Sequence, residues 1–146
     1  MEWILKPFQD LTVFQLYALL RLRSEVFIVE QNCVYQDLDN KDEASFHLMG
    51  FENNELLAYT RLLPPGISYP YASIGRVVTS PKNRRKGTGK FLMEKSITET
   101  IRLFGNQPIK ISAQLYLKKF YTSLGFVQAS DTYLEDGIEH IEMIRY

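Results

Sequence analysis

The chain has 146 residues, of which 45% are hydrophobic and 23% charged, and its 17 basic residues balance its 17 acidic ones. That length suits one domain spanning residues 1–146 with a sizeable core, and the composition is ordinary for a globular protein, which excludes a disordered chain. Neutrality argues against the broad basic surface of a nucleic-acid binder, while one cysteine, Cys33, and two histidines, His47 and His140, exclude a multi-thiolate metal site and make any metal unexpected.

The opening Met1-Glu2-Trp3-Ile4-Leu5-Lys6 has neither a basic leader nor a long apolar stretch, and no later apolar run reaches spanning length. A soluble cytoplasmic protein without a membrane partner is the expectation. Trp3 to Pro7 reads as a first strand. With Asp10 or Thr12 as N-cap, Leu16, Leu19, Leu20, Arg23 and Phe27 keep near-helical spacing, so a helix is predicted from about Val13 to Phe27. The acidic run Asp37, Asp39, Asp42, Glu43 reads either as a solvated loop or as a negative mouth that attracts a cationic amine.

Ser45 to Glu52 and Glu55 to Leu63 read as strands joined across Asn53-Asn54, a tight-turn dipeptide. Pro64-Pro65-Gly66 opens an irregular loop that runs to a central strand at Ala72 to Val78. Met93, Ile97, Ile101 and Phe104 then recur at helical steps until Gly105-Asn106. Ile109 to Ala113 forms another strand, and Leu117, Phe120, Tyr121 and Leu124 form a helical face that ends at Gly125. Phe126 to Gln128 and Ile138 to Arg145 complete the strands, with a turn at Glu135-Asp136-Gly137. Antiparallel strands first and a strand-helix-strand unit in the middle give an α/β sandwich built on one sheet.

The most informative stretch joins the central strand to the following helix: Ile74-Gly75-Arg76-Val77-Val78-Thr79, then Ser80-Pro81, then Arg84-Arg85-Lys86-Gly87-Thr88-Gly89-Lys90. Gly87 and Gly89 stand where a helix begins, so its first free backbone N–H groups can close on an anion, and Arg84, Arg85, Lys86 and Lys90 add positive charge. A Walker loop would need glycine at Arg84 and Ser or Thr at Phe91; a dinucleotide fingerprint would need glycine at Leu92. Both fail, whereas Arg-x-x-Gly-x-Gly fits.

With that loop, the chain resembles the GNAT superfamily of acetyl-coenzyme A-dependent acyltransferases. A second block agrees: in Ala113 to Phe126, Tyr121 stands four residues before Gly125-Phe126, as a tyrosine does in that family, although many members have asparagine at Gln114. The nearest resemblance is to the ElaA-like branch, through Arg23 to Cys33, Tyr35-Gln36-Asp37 with Asp39 and Asp42, His47-Leu48, Gly75-Arg76-Val77, and Glu135 to Ile138 with His140-Ile141; Val34 and Glu139 replace that branch's usual prolines. The resemblance implies a mixed central sheet of six to seven strands flanked by helices, with parallel central strands at the cofactor site. It also implies acetyl-CoA as acyl donor, a small-molecule or peptide amine as acceptor, and leaves a homodimer open. A coenzyme A-binding sensor that has lost turnover is the alternative.

By the same resemblance, the donor's diphosphate falls to Arg84, Arg85, Lys86, Gly87, Thr88, Gly89 and Lys90, and further donor contacts to Gln114 and Tyr121. A bulge in the central strand would free backbone N–H groups at Arg76, Val77 and Val78 for the carbonyl oxygen, and such donors are worth about 3 kcal/mol each. The Arg76 side chain instead suits an ion pair with an acidic residue of the mouth. An alkyl amine with a pKa of about 10.4 is neutral in roughly one molecule in 2,500 at pH 7, a barrier of about 4.6 kcal/mol, so a base or a desolvated pocket is required. Glu30, His47, Glu135 and His140 are candidates for that base. Tyr121 would protonate the leaving thiolate or serve as a core aromatic, and Cys33 reads as a small apolar filler.

Overall fold

The computed structural model describes all 146 residues. Strand β1 (Glu2–Pro7) leads into helix α1 (Val13–Arg23), whose start is fixed by a reciprocal cap: the Gln15 N–H donates to the Thr12 hydroxyl while the Gln15 side chain accepts from the Thr12 N–H. The helix does not stop at Phe27. It continues through Ser24–Glu30 as a wider π-helical turn, at whose end the Gln31 N–H reaches back five residues to the Val26 carbonyl at 3.1 Å.

Strands β2 (Phe46–Glu52) and β3 (Glu55–Leu63) form the predicted hairpin, with Asn53 and Asn54 both at positive φ, 52° and 63°. Strand β4 (Ser73–Thr79) follows, then helix α2 (Thr88–Phe104), strand β5 (Ile109–Gln114), the short helix α3 (Lys118–Thr122), and strands β6 (Phe126–Gln128), β7 (Tyr133–Glu135) and β8 (Ile138–Arg145). Strand β7 is an addition to the expected elements, since its three residues are too few to show an alternation in the sequence.

The expected single mixed sheet of six to seven strands is instead two antiparallel four-stranded sheets. One runs β1-β2-β3-β4; in the other β5, β6 and β7 all pair with β8. The expected parallel pairing of β4 with β5 is reduced to a single bridge, Ala72 with Ile109, reinforced by the Lys110 N–H donating to the Ala72 carbonyl at 2.9 Å. Beyond it the strands part. The cause lies in β4: Tyr59 faces Val78 but Arg61 faces Gly75, so Arg76 and Val77 together stand opposite Thr60, and a bulge of this kind adds twist that turns the strand away.

Helix α1 buries Leu19 and Leu22 on one face of the first sheet with Met49, Leu56, Tyr59 and Val78. Helix α2 covers the other face with Leu92, Met93 and Ile97, and its Ser96 hydroxyl meets Thr60 at 2.7 Å. The largest apolar cluster spans both sheets, joining Leu62, Ile74 and Met93 to Ile109, Ile111, Phe126 and Ile141. Apolar packing therefore holds the two halves together where the backbone ladder does not.

Candidate functional site

The parting of β4 and β5 leaves a cleft of about 540 Å³ between their facing edges. Gly75 to Thr79 line one wall, Ile111, Ser112 and Gln114 the other, the π-helical turn closes one end and the β7–β8 hairpin approaches from the far side. Because each edge strand presents backbone N–H and C=O groups without a neighbour, the walls suit an extended, amide-bearing guest.

Arg76 sits in the left-handed region at φ 50°, in the bulge. For a residue with a Cβ that conformation costs of order 1–3 kcal/mol, so something must hold it. Its side chain meets Asp37 twice, Nε to Oδ1 at 2.8 Å and Nη2 to the carbonyl at 2.9 Å, and reaches Asp39 at 3.4 Å; Tyr35 lies under the guanidinium at 5.8 Å. The Nε–H does not point along the line to Asp37, so that contact is an ion pair by distance without hydrogen-bond alignment.

This pair belongs to a larger network. Arg23, at the end of α1 and 0% exposed, binds Asp37 at 3.0 Å and Asp42 at 2.8 Å; Arg61 of β3 binds Asp39 at 2.8 Å and Asp42 at 3.1 Å. The acidic run is therefore neither a solvated loop nor a free negative mouth, because arginines of three different elements consume its aspartates. His47 joins the same network. Its Nε2–H donates to the Asp42 carbonyl at 2.9 Å and its Nδ1 accepts from the Tyr59 hydroxyl at 2.7 Å, with the ring 0% exposed and outside the cleft. With both nitrogens engaged away from the cavity, it is not placed to act as a base there.

Of the other predicted site residues, Glu30, Arg76, Val77, Val78, Arg84, Gly89, Gln114, Tyr121, Glu135 and His140 all line the cleft. Arg85, Lys86, Gly87 and Lys90 stand exposed at its end and Thr88 is half-buried, its hydroxyl held by Asn83 at 2.9 Å. Gly87 at φ 75° starts α2, and a Cβ built at Gly89 would meet nothing within 4 Å, so the helix entrance is an open cradle of backbone donors that fits an anionic group. Two expected roles collide here: Arg84 donates to Glu30 through both terminal guanidinium nitrogens at 2.8 and 2.5 Å, and the Arg84 hydrogen bond holds the Glu30 carboxyl below the usual carboxylate range. Glu30 is thus a poor base in this state.

Tyr121 is buried among Phe120 and Phe126 yet still lines the cleft; burial, and to a lesser degree Tyr116, pushes its ionisation up, so the proton stays on oxygen. His140, 7% exposed, donates from Nδ1 to the Ile138 carbonyl at 2.7 Å, leaving Nε2 as its basic atom, 3.4 Å from Glu135. Sequence reasoning missed Tyr35, Ser112 and Tyr116 of the lining. Ser112 and Gln114 are the half-buried alternate residues of β5, a pattern that could have marked the wall. Cys33 also lines the cleft, its thiol meeting the Asp136 carbonyl at 3.3 Å and so joining the loop after the π turn to the final hairpin. No group of His, Cys, Asp and Glu side chains is arranged to hold a metal ion, and no helix is long and apolar enough to cross a membrane.

The family model described as an acetyltransferase (GNAT) domain matches residues 10–146. The crystal structure of an acyl-CoA N-acyltransferase from Pseudomonas aeruginosa superposes with a TM-score of 0.95 at 44% identity, covering 100% of both chains. Protein ElaA of Escherichia coli is 42% identical over 146 residues, 99% of this chain and 95% of that protein, and its crystal structure superposes with a TM-score of 0.93.

The aspartates give a pH signature. Burial alone would raise Asp39 and Asp42, but the hydrogen bonds and charges of Arg61 and Arg23 outweigh it and hold both below the usual range, while burial first, then Arg23 and Arg61, lower His47. A depressed carboxyl contributes stability above its unfolded value and loses it on acidification, and a depressed histidine resists a proton that the unfolded chain accepts. Denaturant unfolding is therefore expected to show a shallow loss of stability starting near pH 6.5 and a steeper one below about pH 4. His47→Gln should remove the first phase only; a flat profile from pH 7 to 3 would contradict the network.

Proposed function

Because this chain belongs to the GNAT acetyltransferase family, we propose that it is an acetyl-CoA-dependent N-acetyltransferase acting on a primary amine in a ternary complex. The observation that carries the reading is one continuous cleft that holds a bulged strand at Arg76–Val77 and a protonated Tyr121 and reaches, at Gly89, the open helix entrance that starts at Gly87. The donor supplies an activated thioester carbonyl; binding, orientation and proton transfer are the work of the chain.

The cradle's N–H groups, with Arg85, Lys86 and Lys90 beside them, take the diphosphate, and Arg84 turns to it from Glu30. Free edges of β4 and β5 accept the amide-bearing arm between them. Backbone N–H groups released at the bulge face the thioester oxygen, where negative charge develops. His140, through Nε2 and directly or by one water, takes the proton of the amine, and Glu135 stabilises the resulting imidazolium. The C–N bond forms first, placing the charge on that oxygen; its return breaks the C–S bond, and Tyr121 gives its proton to the departing thiolate. Transfer from a buried phenol is not prohibitively uphill, because the same dry surroundings raise the thiolate's basicity as well.

The sensor alternative keeps the cradle and loses turnover. Release of free thiol from acetyl-CoA across a panel of polyamines, amino acids, aminoglycosides and short peptides separates the two; thermal stabilisation by acetyl-CoA without release for any amine favours the sensor. Gly89→Glu, which meets no steric obstacle in the folded protein, should abolish stabilisation by acetyl-CoA while leaving the unliganded melting temperature within about 2 °C; unchanged donor affinity would overturn the cradle. Tyr121→Phe should lower kcat roughly 10²-fold with donor affinity retained, whereas near-normal turnover would return Tyr121 to a purely packing role. His140→Gln should lower kcat by about 10²-fold or more at pH 7, with the deficit shrinking as pH rises towards the pKa of the free amine; a constant deficit across that range would exclude it as the base.

A further inference from the structure

The left-handed conformation of Arg76 is unfavourable for any residue with a Cβ, and an extended residue 76 would allow β4 to pair with β3 without interruption. The β3–β4 ladder sets the two-for-one register on either side of the bulge, but it makes no contact with the Arg76 side chain. What does is the loop: the carboxylate and carbonyl of Asp37 both hold the Arg76 guanidinium, at 2.8 and 2.9 Å, and Asp37 is itself pinned to Arg23 at 3.0 Å and to the Tyr35 hydroxyl at 3.2 Å. Asp37 is 7% exposed and Arg23 is buried completely, so the brace is anchored in the core and ends on the bulge.

We propose that Asp37 is a positioning residue for acyl transfer: through Arg76 it keeps the β4 bulge in the backbone geometry that aims its N–H groups into the cleft. Asp37 lies outside the cleft lining and the Arg76 guanidinium is turned onto the loop, so both act through the backbone of β4. The inference rests on the acyltransfer reading of the cleft, because only that reaction uses the bulge as an anion hole. It places a determinant of turnover in the loop 31–42, outside the β4–α2 segment that carries the diphosphate cradle.

The decisive comparison is Arg76→Ala against Arg76→Gly. Both remove the guanidinium, but glycine adopts a positive φ without strain and alanine does not. Arg76→Ala and Asp37→Ala should each lower kcat by about tenfold to a hundredfold with donor Kd changed less than about threefold, since misplacement of the hole penalises the reacting state more than binding. Arg76→Gly should recover most of the loss seen with alanine, and Asp37→Ala/Arg76→Gly should exceed Asp37→Ala alone, because a glycine bulge needs no brace. Glycine no better than alanine, alanine at wild-type kcat, or donor affinity falling in step with kcat would each overturn the proposal. Should Asp37→Ala not fold, the two Arg76 variants still decide it. Wild-type protein that releases no thiol with any amine would defeat the acyltransfer reading. Backbone carbon chemical shifts of residues 76–78, which must move to extended values in Arg76→Ala and stay in Arg76→Gly, would still test the brace.

Discussion

Three arginines from separate elements converge on one loop, and the rest of the molecule is arranged around that convergence. Arg23 ends α1, Arg61 lies in β3 and Arg76 in β4, and their partners Asp37, Asp39 and Asp42 all fall within six residues of chain. Buried ion pairs rarely add much net stability, because desolvating the charges costs nearly what their attraction returns, but removing one partner costs about 3–5 kcal/mol. Their effect is therefore specificity of arrangement. Through these pairs the loop closes over the first sheet, against the histidine beneath it and the strained residue at its edge.

The cleft depends on the same edge. An uninterrupted β4 would pair along its length with β5 and leave no space; the two-for-one register at Arg76–Val77 turns the strand aside after one bridge. Helix entrance, bulge and buried tyrosine then fall along one opening without any of them being adjacent in sequence. The Glu30–Arg84 pair lies at that opening, so this loop cation already has a carboxylate partner. Any anion that reaches Arg84 must therefore displace a carboxylate, and its electrostatic gain is smaller than a count of loop cations suggests.

Local signals are legible in the sequence and distant pairings are not. Asn53-Asn54 announces its hairpin, and Gly87 and Gly89 announce the helix entrance, because turn chemistry acts over two or three residues. The acidic run misleads since its partners lie 14 to 39 positions away, and nothing in the local pattern of Asp37 to Asp42 reports an arginine on another strand. His47 passes for a candidate base for the same reason: a histidine on a strand has two titratable ring nitrogens, and only the fold shows that Tyr59 and Asp42 occupy both. The continuation of α1 past Phe27 escapes because a π turn carries the same apolar residues as an α turn with one residue more between bonds.

A single rung, Ala72 to Ile109, is all the strand pairing that crosses from one half of the molecule to the other. The spacing between the halves is consequently a matter of side-chain volume in the shared cluster of Ile74, Met93, Ile111 and Phe126, not of hydrogen-bond register. Ladders change in whole steps; packed hydrocarbon changes by one methylene at a time. Substitutions in that cluster thus widen or narrow the gap gradually, giving the scaffold a graded means of fitting bulkier guests without disturbing a polar contact.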